Sequence, residues 1–176
     1  TGSNNTAVGK EALLSNTTGA SNVAVGANAL DANTTASNNV AIGLGALGTN
    51  STGSNNSALG YGSLGGNTTS SNNTGIGYLA LNANTTGTYN VALGAYVLDA
   101  NTTANENTAV GSFALTNNTT GSSNTALGYN SLADNSTGDY NTAVGMRALK
   151  GNTASNNTAV GYHALEENTT GTANVA

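Results

Sequence analysis

The glycine of a recurrent A-V-G-like phrase stands at Gly9, Gly26, Gly43, Gly60, Gly77, Gly94, Gly111, Gly128, Gly145 and Gly161, spaced seventeen residues apart eight times and sixteen once. A fixed period of this kind constrains a fold more tightly than any composition, because every copy must solve the same packing problem. With Asn5 as position 1, position 1 is Asn in every copy, position 4 is Val, Ile or Leu, position 9 is Leu, and position 12 is Asn in all ten complete copies. Positions 3 and 8 are Ala except for Gly75, Ser63, Ser131 and Val97. Between Asn152 and Asn157 only Thr153, Ala154, Ser155 and Asn156 intervene, one residue fewer than elsewhere. The stretch from position 1 to position 12 never changes length. The tolerant turn is therefore the N-T-T-G-x-x segment, and the rest is frame.

A unit of seventeen is too short for helical repeats, which need about 33 residues or more. Asn, Thr, Ser and a recurrent Gly also make poor helices. The "TAVG" stretch alternates as a short strand does, and a second short element, "xAL", follows it. These features predict an all-β fold, a parallel β-solenoid of about ten 17-residue coils. Stacking at about 4.8 Å would give a rod roughly 48 Å long. The Val/Ile/Leu row and the Leu row are expected to run through the coil interior as two apolar ladders. Asn5, Asn22, Asn39, Asn56, Asn73, Asn90, Asn107, Asn124, Asn141 and Asn157 are expected to form a structural ladder, and this row and the position-12 Asn row can both bond up and down the stack as in cross-β arrays. Asn and Gly also tolerate the left-handed backbone that sharp corners require. The Ala row at position 3 falls on the opposite face of the strand from position 4. It offers a flat surface for a second chain. Two sizeable apolar side chains per coil are little against the entropy of ordering seventeen residues, so the chain is expected to associate with itself, as a homo-oligomer or filament and most simply a parallel trimer.

Only 6% of the residues are charged, and Lys10, Arg147 and Lys150 are the only cations. Such a chain cannot neutralise a run of phosphates, which argues against nucleic-acid binding. Its short apolar runs argue against membrane insertion. The repeat is already in phase at Thr1 and breaks off mid-copy at Ala176, so residues 1–176 read as a single array excerpted from a longer repetitive chain.

Catalysis would show as convergent polar residues interrupting the repeat. His163 is the only histidine, at a position that elsewhere holds Glu11, Asn28, Tyr96, Phe113 or Arg147, and the acids are scattered. No catalytic residue, metal ligand or cofactor is expected. Tyr61, Tyr78, Tyr129 and Tyr162 share position 6 and are candidate ligand contacts, since an amphipathic ring suits an interface. The position-12 residues Asn16, Asn33, Asn50, Asn67, Asn84, Asn101, Asn118, Asn135 and Asn168 begin N-x-S/T sequons, candidate glycosylation sites in a secreted eukaryotic chain. Glycans one coil apart would crowd severely, so a turn-forming role is the expectation.

The phrase "NTAVGYxALxxNTTG" resembles repeats of large tail-fibre-like proteins of phages and bacteria. "NTAVG" and "NVAIG" (Asn39 to Gly43) are similar to the N-S-V-A-I-G motif of trimeric autotransporter adhesin heads, which are left-handed parallel β-rolls. The resemblance covers the whole chain. It implies a structural segment of an extracellular fibre at a cell surface or on a virion (a tail fibre, an adhesin or a secreted filament), with itself and cell-surface glycans as partners. The alternative is a solenoid that binds glycans or ice through its Tyr and Thr rows. The two differ in whether those rows are exposed or occluded.

Overall fold

A computed structural model describes residues 2–176, Thr1 lying outside them. Its elements are ten three-residue strands, from β1 (Thr6–Val8) and β2 (Val23–Val25) to β9 (Thr142–Val144) and β10 (Thr158–Val160). They form one sheet in chain order, each paired in parallel with its sequence neighbour. Like pairs with like: Ala7 faces Ala24, and Ala143 faces Ala159 across the short copy. The chain is a β-solenoid with one coil per repeat; coil 1 begins at Asn5 and coil 10 at Asn157.

The strand turns the opposite way from the sequence expectation. Ala24, Ala41, Ala92, Ala109, Ala126, Ala143 and Ala159 at position 3 are completely buried, while Leu59 and Leu93 at position 4 are 46% and 42% exposed. Positions 2 and 4 must share one face of a strand, and here that face looks outward. The expected contact row of Ala is core, and the expected core row of Val, Ile and Leu is surface.

The reason is the width of the coil. Leu30, Leu47, Leu64, Leu81, Leu98, Leu115, Leu132 and Leu149 at position 9 are fully buried, as are the position-8 residues Ala29, Ala46, Ala80 and Ala114. One leucine fills the cross-section, leaving room opposite it for little more than a methyl group. Coil 5 shows how tight the fit is. Gly75 replaces the usual Ala, and a Cβ there would stand 2.7 Å from Ser63 Oγ and 3.3 Å from Leu64 Cγ. The Ser63 hydroxyl lies in that space and donates to the Gly75 carbonyl at 2.7 Å. Loss of a methyl in one coil is matched by an added hydroxyl in the coil below.

The corners fall at positions 5, 7, 9 and 17 rather than at the two Asn rows, since φ is positive there in coil after coil. Only glycine suits position 5: Gly9 has φ 132°, and a Cβ on it would lie 2.6 Å from the carbonyl oxygen of Gly26. Leucine at position 9 is left-handed throughout, as at Leu30 (φ 50°) and Leu115 (φ 50°). A left-handed non-glycine residue costs on the order of 1–2 kcal/mol. Burying a leucine side chain returns about 1.5–3 kcal/mol, which is why the position holds Leu and not Gly.

Candidate interaction surfaces of the rod

The Asn rows are internal. Asn39 N–H donates to Asn22 Oδ1 at 2.9 Å, and Asn39 Nδ2 donates to the carbonyl of Gly53 at 2.9 Å. The first of these links repeats without a gap from Asn5–Asn22 to Asn157–Asn174. Each position-1 amide thus replaces a strand bond where the backbone bends away from the sheet. The buried members are 0–1% exposed.

The position-12 amides form a second ladder. Asn67 Nδ2 donates to Asn50 Oδ1 at 2.8 Å and to the carbonyl of Ser70 at 3.0 Å. The same pair of bonds holds Asn33, Asn84, Asn101 and Asn118. Asn33, Asn50, Asn67, Asn84, Asn101, Asn118 and Asn135 are fully buried. A glycan must attach to this same Nδ2, so a glycosylated coil could not close its ladder. We expect folded material from a glycosylating secretory host to carry no N-linked sugar on Asn33, Asn84 or Asn118 by intact mass. Occupancy on consecutive coils would contradict this packing.

Two further rows were not read from the sequence. At position 16, backbone N–H groups donate to the side-chain oxygen of the next coil: Ser54 N–H to Ser71 Oγ at 2.9 Å, and Ser122 N–H to Asp139 Oδ1 at 2.7 Å. From Ser37 onward this position always holds Ser, Thr, Asn or Asp, a short acceptor in every copy. At position 13, hydroxyls reach the next coil's carbonyl, as Thr34 to Ser51 at 3.1 Å and Thr119 to Ser136 at 3.0 Å. That half of the Thr pair is therefore engaged within the rod.

The aromatic residues assemble differently from the position-6 row. Tyr61, Tyr78, Tyr96, Phe113 and Tyr129 form one ladder with ring centroids 5.2, 5.2, 5.3 and 6.0 Å apart. Where position 6 is small, at Ala95 and Ser112, position 7 supplies the ring instead. Tyr162 stands apart, its ring 3.9 Å from that of His163. Tyr61 lies parallel to Tyr78, and Tyr96 to Phe113, within 12° and 7°. The Tyr78–Tyr96 and Phe113–Tyr129 pairs instead meet edge to face, at 65° and 85°, and Tyr61, Tyr78 and Tyr129 remain about half exposed. Tyr96 holds the Tyr78 hydroxyl above its ordinary pKa, first through its charge, then through a hydrogen bond, with desolvation adding a little.

The outward face of the sheet is uniform as well. Positions 2 and 4 carry only Thr, Val, Ser, Ile and Leu across all ten strands, with no charged residue. Ten strands at about 4.8 Å, each three residues of about 3.3 Å, give about 480 Å² in projection alone. The largest apolar patch of an ordinary monomer is about 300–600 Å² and is often functional. The charged groups gather elsewhere: Glu166 contacts Arg147 Nε at 2.8 Å and also meets His163 Nδ1. Among the described residues, no three His, Cys, Asp or Glu lie close enough together to hold a metal ion. In comparisons with known proteins, no family model, no curated protein and no solved structure matches the chain.

Proposed function

We propose that the chain is a rigid spacer segment of an extracellular fibre, holding a recognition or anchoring domain away from a cell or virion surface. The observation that carries this reading is the unbroken register of the sheet and of the position-1 amides through ten coils. A rod hydrogen-bonded at every step resists bending in a way that a flexible linker of the same composition does not. The chain associates with copies of itself, three being the expected number, and the outward sheet face replaces the Ala row as the contact surface. No catalytic step is asked of it.

Arrays of ten, twenty and thirty coils test the spacer reading. Small-angle scattering should give a maximum dimension that grows linearly, by about 4.8 Å per added coil. Growth with the square root of coil number, as in a flexible chain, would contradict it.

A second reading, a solenoid that binds glycans or ice, draws on the same face, where Thr at position 2 alternates with aliphatic residues. It requires that face to be free in solution.

A further inference from the structure

The short coil weakens one seam of the rod, and two of the chain's three cations lie in that coil. At the other coil-to-coil steps from Asn16 to Asn168 the position-12 amide donates to the amide of the coil before it; Asn152 Nδ2 donates only to the Ala154 carbonyl of its own turn, at 2.7 Å. Asn135 Oδ1, buried, is left without a partner. The position-13 contacts stop at the same place. Thr119 N–H and hydroxyl both reach Ser136 O at 3.0 Å, yet neither group of Ser136 makes the equivalent bond to Thr153. Between coils 8 and 9, therefore, the turn has lost its position-12 and position-13 links, while Asp134 N–H on Lys150 O at 2.9 Å, Asp139 N–H on Ser155 Oγ at 2.9 Å and Asn156 N–H on Asp139 O at 3.0 Å remain and the sheet side keeps its register.

Charge lies on both sides of that coil. Of the three cations, Arg147 and Lys150 belong to coil 9. Lys150 Nζ reaches back to Asp134 Oδ2 in coil 8 at 3.5 Å, and Arg147 reaches forward to Glu166 in coil 10 at 2.8 Å. The other two ion pairs, Lys10–Glu11 and His163–Glu166, lie within single coils. Asp134 also accepts from Asn117 Nδ2 at 3.2 Å, extending the polar chain to coil 7.

We propose that the coil 8–9 seam is a built-in joint, weakened at positions 12 and 13 of its turn and bridged by the Lys150–Asp134 ion pair, so that ionic strength sets how readily coils 9 and 10 detach together from the rod. It is a conformational device of the fold and does not depend on the spacer reading. The partly exposed Lys150–Asp134 pair shifts the opening equilibrium by at most about fivefold, and salt screens it; the Arg147–Glu166 pair lies within the detaching unit.

Amide hydrogen exchange of the whole chain at about 0.05 M and 1 M salt tests the joint. The seam amides, such as Leu132 N–H on Ala148 O and Arg147 N–H on Tyr129 O, should exchange about two- to fivefold faster at high salt. The equivalent amides between coils 4 and 5 should not change. Coils 9 and 10 should share one opening rate, whereas simple end fraying would make coil 10 faster than coil 9. The Lys150→Gln variant, which removes the one ion pair across the seam, should exchange fast at both salt levels. Inserting one Thr after Thr153 recreates the N-T-T-A-S-N turn of Asn33 to Asn38 and should slow the seam while reducing its salt response. Salt-independent exchange at the seam, or an insertion that leaves its rate unchanged, would overturn the proposal.

Discussion

Replacing Asn73 and Asn90 together by alanine should lower the melting temperature by roughly 5–20 °C. Asn73 Oδ1 accepts the N–H of Asn90, and Asn90 Oδ1 accepts that of Asn107, both at 3.0 Å. The carbonyls of Gly87 and Ala104 lose a donor but retain the position-12 amides of Asn84 and Asn101. The two orphaned N–H groups decide the outcome. A buried donor left unpaired costs about 1–3 kcal/mol, so the pair costs about 2–6 kcal/mol. For a chain of this size 1 kcal/mol moves the midpoint by about 2–4 °C. Thr86 and Thr103, exposed in the neighbouring turns, should cost less than about 0.5 kcal/mol each when replaced by alanine. Thermal unfolding followed by circular dichroism makes the comparison, and equal losses would remove the Asn ladder from the account.

A larger effect is expected from charge placed on one face of the strand and not the other. Ala109→Glu with Ala126→Glu puts two carboxylates into a core where both positions are fully buried. The interior offers neither space nor a cation, and an unpaired buried charge costs several kcal/mol even after relaxation. Most of the β signal around coils 7 and 8 should be lost, whatever the state of association. Val110→Glu with Leu127→Glu introduces the same charges one residue along. Those side chains point outward, Leu127 being 37% exposed, so the rod should keep its circular dichroism spectrum. If instead the Ala variants fold and the Val/Leu variants do not, inside and outside have been exchanged.

That exchange is also where the sequence was hardest to read. The period, the parallel stacking and the paired Asn rows follow from the spacing alone. The side on which the strand packs does not, because an apolar row satisfies two demands equally well, filling a core or meeting another surface. Hydrophobicity favoured Val8 and its equivalents for the interior; volume favoured Ala7 and its equivalents. In a coil one leucine wide, volume prevailed. Uniform smallness at positions 3 and 8 was the available clue, and Gly75 set beside Ser63 states it most clearly. The position-12 amides were legible as a row that bonds along the stack, because an Asn recurs there at every coil; their complete burial was not, since a turn-forming Asn in an N-x-S/T sequence reads equally well as a surface residue. Tyr96 and Phe113 were hidden for another reason: a ladder built from positions 6 and 7 in alternation has no single column in the repeat. The orphaned Asn135 was one step further away, because a deletion in coil 9 is felt in coil 8.

Association through the outward sheet face is the claim on which the functional account turns, and the mass of the folded chain in solution tests it most directly. Light scattering of the native chain should give a multiple of 17.1 kDa, three being expected, and the Val110→Glu, Leu127→Glu variant should give the mass of one chain with its β-structure intact. A native chain that is folded and monomeric would contradict the account, and it would leave that flat, uncharged face free for a ligand.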